Sequence, residues 1–251
     1  MPVSREFSKN IPWSYVRIRP PASELAEQYI LEWEKKRNII KNPGTQQETI
    51  RPNVCFSRRV GVGAIEVADL LGAKTGYKVV DKEIIEYIAK RGGLSEKTVA
   101  IFDEHYPGKL NEFLYSFGEK GFIQSDYSRH LFEIVLTVAG LGPTIFIGRG
   151  AHLLLPRDKV LAVRFTASME HRIKRVTNVL DMSNKKIIRK LELFDKEQND
   201  FCKKVYGRDW QDTEHFDLVI NFDRFSDPQW AVEVIDMAFK QKFGIEMKNV
   251  K

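Results

Sequence analysis

Five short apolar runs alternate with amphipathic helical patterns along most of this chain, and that alternation restricts the fold more than any other feature. The runs fall at about 53–57, 77–80, 144–148, 160–166 and 217–222. Helical periodicity fills about 63–75, 82–91, 95–104, 127–141, 169–180, 184–206 and 228–243. Strands separated by helices pair in parallel and are covered on both faces. The pattern therefore predicts an α/β fold, with a five-stranded parallel sheet sandwiched by helices.

The chain has 251 residues, 43% of them hydrophobic, enough for one such domain and an extension. Residues 1 to about 50 read as that extension, and 51–251 as the α/β domain, with a helical lid at about 181–208. Within the extension a single helix is expected from Ser23, which can cap it, to Ile39, and Asn42-Pro43-Gly44 ends it. Its face of Leu25, Tyr29, Ile30 and Trp33 must pack either on the chain's own body or on a homodimer or other protein partner. Tyr106 to Gln124, rich in aromatics and glycines, reads either as a substrate-covering insertion or as a packed irregular segment.

A formal net charge of +6 and a pI near 9.1 favour anionic partners such as nucleotides, nucleic acid or acidic membrane surfaces. No nucleic-acid-binding motif accompanies the charge, so nucleic acid is not the expected partner, and no membrane partner is expected either. Cys55 and Cys202 have no metal-ligand spacing, which suits a reducing cytosol. No apolar run reaches the roughly 18 residues needed to span a bilayer, and Met1 to Glu6 lacks a signal-peptide core. A cytoplasmic protein without a membrane anchor is expected.

The first strand runs straight into a glycine turn, Ser57-Arg58-Arg59-Val60-Gly61-Val62-Gly63-Ala64-Ile65, and then into a helix. Strand, glycine loop and helix together make a phosphate cradle, because glycines let backbone N–H groups approach oxygens and the helix N-terminus adds about half a positive charge. Such cradles are normally completed by lysine and a hydroxyl residue. Ala64 and Ile65 stand in those places here. Gly72-Ala73-Lys74-Thr75 is a decoy, since Lys74 lies at the far end of the helix, about 15 Å from its start.

Ligands of parallel sheets collect at the carboxyl ends of the strands. Those ends carry Ser57-Arg58-Arg59, Asp81-Lys82-Glu83, Gly148-Arg149-Gly150 and Thr166-Ala167-Ser168. Arg149 between two glycines is suited to grip a phosphate bidentately. Asp81 can either cap the next helix or accept from a sugar hydroxyl. The basic residues around Arg172, Arg175 and Lys185 to Lys204 form either a solvated face or a pair of helices that close over a triphosphate. The histidines show no metal-ligand spacing.

In this order and at these spacings the motifs resemble the cytidylate kinase-like family, a branch of the phosphate-loop nucleoside monophosphate kinases, with a degenerate phosphate loop. The resemblance runs from about Asn53 to Phe239. It is carried by Ser57-Arg58, Leu71 to Tyr77, Asp81-Lys82-Glu83, Ile145 to Ala151, Asp195-Lys196-Glu197, Tyr206 to Trp210 and Phe216 to Asn221. It implies phosphoryl transfer from ATP, with Mg2+, to a nucleoside monophosphate. Ser57, Arg58, Arg59, Gly61, Val62, Gly63 and Ala64 would meet donor phosphates, Asp81 and Arg149 the acceptor nucleotide, while Arg149, Arg172, Arg175 and Asp195 would serve catalysis. The residues that would meet the metal stay open. Where the family reads roughly Gly-Ser-Gly-Gly-Arg, this chain has Gly61-Val62-Gly63-Ala64-Ile65, and an arginine expected three residues after Asp195 is Gln198. Two readings follow, an active kinase and a pseudokinase that binds nucleotide or a protein partner.

Overall fold

The computed structural model describes residues 20–39, 51–91, 96–100, 126–178, 182–207, 212–225 and 227–247, with a few single positions between them. Most of the Tyr106–Gln124 segment and the residues before Pro20 lie outside the described residues.

Five strands form one sheet: β1 (Asn53–Arg58), β2 (Lys78–Asp81), β3 (Thr144–Ile147), β4 (Val160–Thr166) and β5 (Leu218–Asn221). Their order is β2-β3-β1-β4-β5, every pair is parallel, and β1 lies at the centre. The apolar runs are continuous rather than alternating because both faces of the inner strands are covered. Cys55, Val80 and Phe146 face one core, and Val54, Phe56, Ile145, Ile147 and Val163 face the other.

The second core is closed by α2 (Ala64–Thr75) and by α8 (Pro228–Phe243), which contributes Ala231, Val232, Ile235 and Phe239. The first is closed by α3 (Lys82–Lys90), α4 (Asp126–Leu141) and the short α5 (Ala151–Leu154). Between β4 and β5 stand α6 (Met169–Thr177) and α7 (Asn184–Tyr206), of which α7 fills most of the segment expected as a lid. The two helices pack on each other and over Val60 through Val176, Ile187 and Leu191.

Helix α1 (Ala22–Ile39) lies across α3 and buries Ala26, Ile30 and Trp33 in the first core, so its apolar face packs on the chain's own body. Ser23 is not its cap. Pro21, with φ fixed by its ring, leads the chain in one residue earlier, and its carbonyl accepts from Leu25 N at 3.1 Å. Other boundaries shift by small steps: Arg58 belongs to β1, Asp81 ends β2, and α6 stops at Thr177. Among the described residues no helix is long and apolar enough to cross a membrane. Lys74 is tied to Glu233 and Asp236 of α8 at 2.9 and 2.7 Å, a structural role that disposes of it as a phosphate ligand.

Candidate functional site

Two neighbouring places at the carboxyl end of the sheet carry the residues singled out by the sequence, and Val60 touches both. The first is the glycine turn. Gly61 and Gly63 have φ of +86° and +95°, a conformation that L side chains rarely adopt, and Gly63 caps α2 with its carbonyl accepting from Glu66 N. The turn is covered. A Cβ on Gly61 would lie 3.2 Å from Val176 and 3.5 Å from Leu191, while Val62 and Ala64 are buried.

Charged groups complete that cover. The Arg172 side chain is fully buried, donating from Nε to the Val60 carbonyl at 2.7 Å and through both terminal nitrogens to Asp195 at 2.7 and 2.8 Å. Arg172 thus joins α6, α7 and the turn by charge-assisted hydrogen bonds. Arg175 donates to Glu66 at 2.6 Å, and its guanidinium carbon lies 2.8 Å from where a Gly63 Cβ would stand. A cation over a helix N-terminus opposes the dipole, and Glu66 in the first turn of α2 offsets it.

The second place is a pocket of about 150 Å³ between the strand ends and α7. Ser57, Arg58, Lys82, Arg149, His152 and Phe216 are among the residues that line it. The sequence-derived donor set is therefore divided, with Ser57 and Arg58 in this pocket beside Arg149, Gly61 and Gly63 beneath side chains of α6 and α7, and Val62 and Ala64 buried in the second core. Arg59 lies close enough to Arg164 to lower its proton affinity, second to the effect of burial. Asp81 caps α3, accepting from Glu83 N and Ile84 N at 2.9 and 3.0 Å. The pocket wall at that point is Lys82.

Three cations, Arg58, Lys82 and Arg149, line the pocket together with three carboxylates, Glu197, Asp209 and Asp212. Burial first, and then the charges of Arg58 and Arg149, push Lys82 below the ordinary lysine range. Burial and Arg58 act in the same direction on Arg149. An anion entering here would relieve both effects. Burial, followed by the charges of His215, Arg157 and Arg164, holds His152 down at about 3, so it is a neutral ring, and it stacks on Phe216 with centroids 4.6 Å apart.

Helix α7 roofs the cations. With its amide oriented to satisfy both ends, Gln198 donates to the Arg58 carbonyl at 3.2 Å and accepts from Arg58 Nη1 at 2.8 Å. An arginine there would set a like charge against Arg58. The Arg149 guanidinium lies 4.6 Å over the Phe201 ring and pairs with Glu86. Sequence reasoning gave no binding role to Lys82, Gln198, His152, Phe201 or Tyr206. Lys82 carried a signal as a member of the strand-end set Asp81-Lys82-Glu83, His152 lies two residues beyond Gly150, and Tyr206 opens a motif that carries the family resemblance, whereas Phe201 looks like any apolar position of a long helix.

Among models of known families, the one described as the cytidylate kinase-like family matches residues 53–224. No curated protein matches the chain. A crystal structure of an uncharacterized protein from Eubacterium ventriosum ATCC 27560 is similar, with a TM-score of 0.59 and 18% identity over 76% of this chain and 99% of that one. Shikimate kinase from Bacteroides thetaiotaomicron aligns with a TM-score of 0.37 and 11% identity, over 77% of this chain and 99% of its own.

Proposed function

This chain belongs to the cytidylate kinase-like family, and on that premise we propose that it binds a nucleoside monophosphate in the pocket beneath α7 and is impaired in phosphoryl transfer from ATP. The observation that carries this reading is the contrast between the two places. Arg58, Lys82 and Arg149 face an open pocket, while the glycine turn lies under Val176, Leu191 and Arg175. Within the pocket Arg149 and Lys82 would pair the phosphate, and neutral His152 would offer a hydrogen bond without adding charge.

Magnesium with ATP is what the family implies, and the turn does not fit it. Ala64 and Ile65 offer no side-chain oxygen, and among the described residues no three His, Cys, Asp or Glu side chains stand together as a metal site. Absence of the usual cation and hydroxyl at a phosphate cradle removes several kcal/mol of transition-state stabilisation, about a hundredfold or more in rate. The chain's own contribution is anion capture at the strand ends.

An active kinase is the second reading, favoured by the convergence of Arg172, Arg175 and Asp195 on the turn. If α6 and α7 lift together, Arg175 becomes a lid cation facing donor phosphates. Calorimetric titration with CMP, UMP and AMP, and with ATP in the presence and absence of magnesium, separates the readings when joined to a coupled turnover assay. Monophosphate binding without turnover supports the proposal, and turnover sinks it. With α1 seated on the body, assembly through that helix face loses its main motive.

A further inference from the structure

Arg149 is the one non-glycine residue with positive φ among the described residues, at +52°, and it stands between Gly148 at +86° and Gly150 at +65°. A run of left-handed residues costs backbone energy and persists only where the surroundings hold it. The holding group is visible. Tyr206, the last residue of α7, is buried and donates its hydroxyl to the Arg149 carbonyl, and a Cβ on Gly150 would overlap the Tyr206 ring. Phe201 on the same helix lies under the Arg149 guanidinium, and the Phe201 and Tyr206 rings meet edge to face with centroids 6.0 Å apart.

We propose that Tyr206 and Phe201 are positioning residues for Arg149, with the phenol holding its strained backbone and the phenyl ring aiming its guanidinium into the pocket. The inference rests on the proposed function in taking Arg149 as the group that meets the ligand phosphate. Burial keeps the Tyr206 phenol protonated well beyond neutral pH, so it remains a donor. Removing that one oxygen frees the turn to relax to other backbone angles, which carries the guanidinium away from its seat over Phe201.

Tyr206→Phe in the full chain tests this in two ways. With CMP as the probe, and inorganic phosphate beside it, affinity is expected to fall about tenfold, the scale of one lost buried hydrogen bond. The same substitution made in an Arg149→Ala background should change affinity less than twofold, since its effect passes through Arg149. Independently of any ligand, phenylglyoxal modification of Arg149, followed by peptide mass mapping, should run several-fold faster in Tyr206→Phe. An unchanged labelling rate, or equal affinity loss in both backgrounds, overturns the proposal. If wild type binds neither probe, the proposed function fails while the labelling rates still decide the role of Tyr206. Should Tyr206→Phe not fold, Phe201→Leu keeps an apolar side chain at that position and removes the ring face; unchanged Arg149 labelling there is equally fatal.

Discussion

Arg172 of α6 and Asp195 of α7 meet in a two-pronged ion pair, at 2.7 and 2.8 Å, with the arginine side chain wholly out of solvent. Removing only the carboxylate strands a buried charge, which typically costs about 3–5 kcal/mol. Asp195→Ala is therefore expected to lower stability by about that much in denaturant titration. The double variant Arg172→Met with Asp195→Ala, which removes both charges, should recover part of the loss. A double variant no more stable than the single one would contradict this account of the pair.

Gly63 and Gly148 share a left-handed backbone but not a neighbourhood. Arg175 stands 2.8 Å from a Cβ on Gly63, while nothing lies within 4 Å of one on Gly148. Gly148→Ala should cost about 1 kcal/mol for backbone strain alone. Gly63→Ala must also displace the Arg175–Glu66 pair and should cost more. Thermal melts of the two proteins side by side check the ranking.

Replacing Arg149 separates binding from folding. Its side chain is one-fifth exposed, and its guanidinium rests on Phe201 and pairs with Glu86, so Arg149→Ala should cost about 1 kcal/mol of stability. CMP affinity, measured by calorimetry, should fall at least tenfold, because a charge-assisted contact with phosphate is lost. Intact affinity with a large fall in melting temperature would make the residue structural.

His152 gives the pocket a pH signature. Its proton affinity in the folded chain drops to about 3 from an ordinary 6.5. Below pH 6.5 the unfolded chain therefore takes up a proton that the folded chain refuses, and stability falls with pH until the folded pKa is reached. This one group contributes a slope of about 1.4 kcal/mol per pH unit within that window. His152→Gln should flatten the stability profile between pH 6 and about 4, relative to wild type, in urea melts.

The sheet was legible because Val79-Val80, Ile145 to Ile147 and Val160 to Val163 are short, apolar and separated by helical patterns, which leaves few alternatives to parallel pairing. The strand-end rule likewise led to Arg149, Arg58 and Lys82 without knowledge of the pocket. What covers Gly61 and Gly63 was not legible. Glycines that signal room for a phosphate look the same as glycines that accommodate a packed neighbour, and Glu66 and Arg175 are 109 residues apart in sequence. Of the two roles open for Asp81, its hydrogen bonds from Glu83 N and Ile84 N show the cap.

Helix α7 is unbroken over 23 residues, about 35 Å of rod by its rise per residue. Leu191 in the first half of the rod lies over the glycine turn, Asp195 at its midpoint pairs with Arg172, and Phe201 and Tyr206 in the last two turns lie on Arg149. A rigid rod cannot tilt at one end alone, so access to the turn and the shape of the pocket are coupled variables. Were the rod to take two tilts, a ligand favouring one of them at the Arg149 end would change the affinity of any ligand at the turn that tells the same tilts apart, and linkage would require the reverse effect by the same factor.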